Sequence, residues 1–202
     1  MRHQPGTTAV RRRQVVLALA SAGWWACGGA HAAPNAAFPA TVKLAGSDLS
    51  MNGAGTRYRF TFKVYDMALY TTRKVRTSAE LLALPGPKRL HFVALRELAG
   101  TDLGRLFLRG MGDNASPEQM NRHSLSSTRL IEIFSGRPKM LPGETFAMDF
   151  EPGKGTTFYI QGQAQGAPVG NDEFFGLVLR IWFGEAPVDK ALRDELLGRA
   201  QG

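Results

Sequence analysis

The sequence predicts an α+β domain, a layer of helices over one face of an antiparallel sheet, and three observations carry that prediction. Phe60, Phe62 and Val64 alternate with Arg59, Thr61 and Lys63, the period-two pattern of a strand with one buried face. Between residues 102 and 134 the apolar residues recur instead at helical spacing. Alternating segments return after residue 144 and give way to a second helical block at the C-terminus. Strands and helices arranged in blocks, rather than in strict alternation, argue against a doubly wound parallel sheet.

Taken in order, residues 51–57 (Met-Asn-Gly-Ala-Gly-Thr-Arg) run into the alternating segment 58–65, which ends at Ala68-Leu69-Tyr70. This places Arg57 at the mouth of a hairpin. Gly53-Ala54-Gly55 reads as a turn, because the third glycine of a dinucleotide fingerprint would fall at Tyr58 and no helix follows. Thr77-Ser78-Ala79-Glu80 is a capping box that opens a helical turn before Pro85, and 88–95 reads as a strand with Leu90, Phe92 and Ala94 on one side. In 102–112, Leu103, Leu106, Phe107 and Met111 mark a helix. Ser116-Pro117-Glu118-Gln119 then supplies a cap, a first-turn proline and a reciprocal glutamine for a second helix reaching about Phe134.

Strands at 145–150, 156–161 and 163–167 are separated by Pro152-Gly153 and by Gly162, as in a hairpin or meander. Gly153-Lys154-Gly155-Thr156 reads as a hairpin turn, since Met148 stands where a phosphate loop needs its first glycine. A helix starting at Asn171-Asp172-Glu173 buries Phe174, Leu177, Val178, Ile181 and Trp182. A last helix spans about 187–199.

Residues 1–32 read as a cleaved export signal. Arg11, Arg12 and Arg13 precede an apolar stretch over 15–25, and Ala30-His31-Ala32 offers a small-x-small cleavage site. The run is too short to be a stable membrane span. Paired arginines before Gln14-Val15-Val16-Leu17 fit a twin-arginine signal as well as the general secretory route. Cys27 would suit a lipoprotein site poorly, because Trp24-Trp25-Ala26 precede it. The expected location is the periplasm, with 33–40 a flexible Ala- and Pro-rich segment and 41–200 a single domain. The whole chain has 25 basic and 17 acidic residues, a net charge of +8. Cleavage removes four arginines and no acid, leaving 21 against 17, or +4. Without a block of like charges, that balance argues against nucleic-acid binding.

Catalytic motifs are scarce. His91 and His123 are the histidines beyond the signal, they fall on different elements, and neither has a partner at metal-ligand spacing, so no metal is expected. There is no Gly-x-Ser-x-Gly elbow and no cysteine after Cys27 for thiol chemistry. No cofactor is expected either. By spacing alone Arg57 reads as a solvated or salt-bridged strand-end group.

The Met51–Arg57 stretch, followed by Ala68-Leu69-Tyr70, Ile181-Trp182-Phe183-Gly184 and Leu196-Leu197-Gly198, resembles the chalcone isomerase-like family, in particular its small exported bacterial branch, over roughly 41–198. That resemblance implies the same open-faced sandwich, and an Arg57 pointing into a cleft between sheet and helices. In fatty-acid-binding relatives this arginine meets the ligand's carboxylate, a task suited to a rigid, permanently charged fork of donors. The implied site takes a small amphipathic ligand at Arg57, with Tyr65 or Tyr70 as second donor. Phe60, Phe62, Leu106, Phe107, Phe174, Val178 and Ile181 would line an apolar cavity.

The isomerase chemistry carries over less well. Tyr65 stands where the plant enzymes have a threonine, residues 103–110 lack the family's tyrosine and asparagine, and Ile181 occupies a polar position. Loss of those donors implies no efficient chalcone cyclisation. An isomerase or lyase of another small phenolic or acidic compound, using Arg57 and Tyr65, is the alternative. A third reading closes the cleft: Arg57 pairs with an acid such as Asp66 or Glu173, and Trp182 and Phe183 are core.

Overall fold

The computed structural model describes Met1 and residues 36–199. The expected export signal, Met1 apart, and residues 33–35 lie outside the described residues. Nine strands and six helices follow in order among the described residues: β1 (Thr41–Leu44), β2 (Ser47–Arg59), β3 (Phe62–Thr71), α1 (Ser78–Ala83), β4 (Lys88–Ala94), β5 (Leu98–Ala99), α2 (Gly100–Gly112), α3 (Pro117–Arg122), α4 (Ser124–Ser135), β6 (Lys139–Met140), β7 (Thr145–Glu151), β8 (Gly155–Ile160), β9 (Gln163–Ala164), α5 (Asp172–Phe183) and α6 (Lys190–Leu196). Seven strands form one antiparallel sheet in the order β1-β2-β3-β4-β7-β8-β9, and β5 pairs separately with β6.

Period two decides the faces. Tyr65, Met67 and Leu69 of β3, with Leu90 and Phe92 of β4 and Phe146 and Met148 of β7, join the large core cluster shared with the helices. The intervening Ala68 and Tyr70 face the other side, where they pack with Leu44 and Leu49, flanked by Phe38 and Met51. The segment 36–40, expected to be flexible, lies along that second face. Ala36 N donates to Asp66 Oδ2 at 2.7 Å, Phe38 meets His91 edge-on at 5.4 Å, and Tyr70 Oη donates to the Pro39 carbonyl at 2.9 Å.

Helix starts follow their caps. Thr77 and Ser116 each form the expected capping box, and Asn171 accepts from Phe174 N at 3.0 Å. The predicted single helix to Phe134 is instead broken at His123 into α3 and α4. α5 is apolar on nearly all sides, the composition of a helix enclosed on every face. Phe174, Phe175, Leu177, Val178, Leu179, Ile181, Trp182 and Phe183 are all buried in it.

Four further expectations are corrected. The alternation at 58–65 is not one strand, because the chain reverses at Phe60–Thr61 and Arg59 pairs with Phe62. Phe60 and Phe62 are accordingly 88% and 63% exposed. Gly53-Ala54-Gly55 is not a turn but the middle of β2, whose two glycines let α6 lie against the strand. A Cβ on Gly53 would stand 2.3 Å from the Glu195 carbonyl oxygen. The third strand at 163–167 is only the pair Gln163–Ala164, and the last helix starts at Lys190 rather than near 187.

Candidate functional site

Arg57 and Tyr65 are direct partners in the β2–β3 register, side by side on the sheet face that carries the helices. Arg57 Nη1 donates to Asp189 Oδ2 at 3.0 Å, and it also contacts the Tyr58 carbonyl. Both side chains of the ion pair are well covered, 19% and 14% exposed. Asp189 has a second task as N-cap of α6, its Oδ1 accepting from Ala191 N at 3.0 Å and Leu192 N at 3.2 Å. One carboxylate thus caps a helix and neutralises the guanidinium on the neighbouring strand.

Trp182, from α5, donates its indole Nε1–H to Tyr65 Oη at 2.9 Å. The Tyr65 ring meets Phe92 edge-on at 5.4 Å, Phe92 lies 5.3 Å from Trp182, and Phe107 of α2 approaches Trp182 at 5.7 Å. A polar set of guanidinium, carboxylate, phenol and indole therefore sits on an aromatic layer. Burial pushes the Tyr65 phenol up to about 12, with the Trp182 hydrogen bond and the Arg57 charge pulling the other way and Asp189 adding to the rise. At neutral pH Tyr65 is a neutral hydrogen-bonding group and not a base.

That shift carries a stability prediction. In the unfolded chain Tyr65 ionises near pH 10, whereas the folded protein holds its proton to about 12. Stability contributed by the neutral phenol is complete below pH 10 and falls as pH rises from 10 to 12, by at most about 1.4 kcal/mol per unit. Tyr70 is likewise pushed up to about 12 by burial, so a variant must isolate the Tyr65 share. Chemical denaturation of Tyr65→Phe at pH 9 and pH 11.5 is expected to show a smaller alkaline loss than wild type.

The structure brings together some of the residues proposed from sequence and separates others. Arg57 and Tyr65 meet, and Phe107 and Ile181 are buried in the same layer at 5% and 4% exposure. Phe62 is outside it, at the hairpin tip, because the turn precedes it. Tyr70 lies on the opposite face, five residues and therefore an odd number of pleats from Tyr65. Leu106 faces solvent at 56% exposure. The acid on Arg57 is Asp189 rather than Asp66 or Glu173. Asp66 Oδ1 accepts from Thr56 Oγ1 at 2.6 Å, and Glu173 Oε2 lies 3.2 Å from His123 Nε2. Ile181 supplies no polar atom, but its neighbour Trp182 does.

Asp189 and Trp182 are thus site members that the sequence reading left aside. Asp189 precedes Lys190-Ala191-Leu192 in the manner of an N-cap, a legible signal, but its reach to a strand 132 residues away is not. Two open depressions lie around Arg129 of α4, one of about 670 Å³ beside β8 and β9 and one of about 360 Å³ beside residues 167–170, and neither is lined by Arg57 or Tyr65. Among the described residues no three His, Cys, Asp or Glu side chains converge as a metal site, and no helix is long and apolar enough to cross a membrane.

Fold and site together define an open-faced α+β sandwich with a guanidinium seated between sheet and helices. The sequence matches the chalcone isomerase-like family over residues 30–198, and the chain belongs to that family. Among solved structures it is similar to a fatty-acid binding protein of Arabidopsis thaliana, at 15% identity and a TM-score of 0.61, covering 79% of this chain and 90% of that one. That likeness is one of fold. No curated protein sequence matches the chain.

Proposed function

We propose that the protein is a periplasmic, non-catalytic binder or carrier of an amphipathic carboxylate such as a fatty acid, held at Arg57. The observation that carries this reading is that Arg57 already grips a carboxylate, that of Asp189, under partial cover at the margin of an aromatic layer. A ligand carboxylate can take the same donors once Asp189 swings away, because guanidinium recognises the group and not its owner. The apolar tail would enter among Tyr65, Phe92, Phe107 and Trp182, displacing side chains that now pack on one another. The family and the fatty-acid-binding neighbour of like fold support a binding role.

A second reading has an observation of its own. The Arg57–Asp189 pair and the stacked aromatic rings fill the place of a cleft, as in a closed interaction module. One titration separates the two. In a chain beginning at Ala33, Trp182 is the sole tryptophan and is hydrogen-bonded within the site, so its fluorescence reports occupancy directly. Oleate is expected to bind saturably to wild type. Arg57→Ala should weaken binding at least about tenfold, the loss of one charge-assisted hydrogen-bond pair. Asp189→Asn, which keeps the cap but not the charge, should bind more tightly than wild type. Absence of saturable binding, or binding indifferent to Arg57→Ala, would assign the closed module.

A further inference from the structure

We propose that the tip of the β2–β3 hairpin is a docking site for the surface of an anionic lipid bilayer. The inference stands whether or not Arg57 takes a ligand. Among the described residues, Phe60 and Phe62 are the two most open aromatic side chains, 88% and 63% exposed. Phe60 is the first residue of the two-residue turn, and Phe62 opens β3 directly after it, paired with Arg59. Phe60 sits there at φ 55°, a conformation that glycine or asparagine adopts at low cost and a bulky side chain does not. The chain thus holds an exposed phenylalanine at a position where local preference opposes it, a kind of outlier that points to a use.

The hairpin itself is basic, with Arg57 held by Asp189 in the site and Arg59 and Lys63 flanking the turn. Between Asp48 and Asp66 the sequence contains Arg57, Arg59 and Lys63 and no acidic residue. Arg96 lies over the Phe62 ring, 5.9 Å from its centroid. The Leu95 N–H bond to the Val64 carbonyl and the Gly143 N–H bond to the Ala94 carbonyl bring the 141–144 loop to the same end of the sheet. That loop adds Leu141, 43% exposed. The acids at this end are already occupied, Glu97 by Lys139 at 2.8 Å and Glu144 by Arg137. Exposed aromatic rings that insert at the acyl boundary, rimmed by cations that meet lipid phosphates, are the chemistry of interfacial attachment. A protein partner would need a pocket shaped to a narrow convex tip, whereas lipid conforms to it.

Both hydrophobic clusters are built from residues 38–197, so a chain from Ala33 retains the whole core. Cosedimentation of that chain with vesicles of equimolar phosphatidylglycerol and phosphatidylcholine is expected to show binding that weakens with salt, and little binding to pure phosphatidylcholine. Phe60→Gly should lower vesicle binding about tenfold, by loss of one inserted ring, while the melting temperature stays level or rises as the turn relaxes. Phe62→Ser should lower binding similarly. Wild type that ignores anionic vesicles, or a Phe60→Gly/Phe62→Ser protein that binds them as wild type does, would overturn the proposal. So would concentration-dependent self-association lost in Phe60→Gly without any vesicle binding, which would assign the tip to a second copy of the chain.

Discussion

Gly53→Ala is expected to destabilise the fold by about 3 kcal/mol or more, the upper part of the overpacking range. An added Cβ would stand 2.3 Å from the Glu195 carbonyl oxygen and 2.5 Å from that of Leu196, both backbone atoms of the last turn of α6. No side-chain rotation relieves such a contact, so α6 must lift from β2. That helix buries Leu192 and Leu196, with Leu197 just beyond it, at 1% exposure or less, and lifting it returns apolar surface to water. Chemical denaturation beside Gly112→Ala makes the comparison. A Cβ on Gly112 meets nothing within 4 Å, and in a helix alanine is the better residue, so that control should be neutral or stabilising. Equal behaviour of the two variants would refute the close approach. The functional corollary is direct, because Asp189, the N-cap of α6, is the residue that holds Arg57. A protein with α6 displaced should expose Arg57 to solvent carboxylates.

Much of the fold was legible because the signals were local. The capping boxes at Thr77 and Ser116, the Asn171 cap and the helical spacing of 174–182 depend on residues within one or two turns of each other. The alternation around Phe60 misled for the same reason. Period two runs unbroken through Arg59-Phe60-Thr61-Phe62, and nothing in the pattern marks a turn made without glycine, asparagine or proline. The facts that govern the site are non-local. Tyr65 and Tyr70 separate onto opposite faces through parity along β3, which holds because the strand pairs with β4 without a register shift from one to the other. Arg57 and Tyr65 meet through a register that depends on where the chain reverses. The Asp189 partner depends on how α6 lies on β2, and that in turn on the glycines that looked like a turn. The resemblance located the arginine, but packing chose its carboxylate.

Asn52→Ala is the second large effect expected, again about 3 kcal/mol, and it tests what seats α6. The register shift between Met51 and Gly53 leaves Asn52 as the extra residue of a β-bulge, its side chain turned inward and 4% exposed. Its Nδ2 donates to the Val75 carbonyl at 3.0 Å and to the Leu196 carbonyl at 2.8 Å, while Oδ1 accepts from Val75 N at 2.7 Å. One amide therefore ties β2 to the loop before α1 and to the end of α6. Alanine removes three hydrogen bonds and strands the Val75 N–H in a buried site, at about 1–3 kcal/mol for an unsatisfied group beyond the lost packing. Hydrogen exchange should show the Val75 amide losing protection first. Combined with Gly53→Ala, the loss should fall short of the two single losses together by about 1 kcal/mol or more. Once α6 has been lifted by either change, its bond to Asn52 is no longer there to lose. Strict additivity would mean instead that the bulge and the glycine act on separate elements, and that α6 does not seat on β2 as one unit.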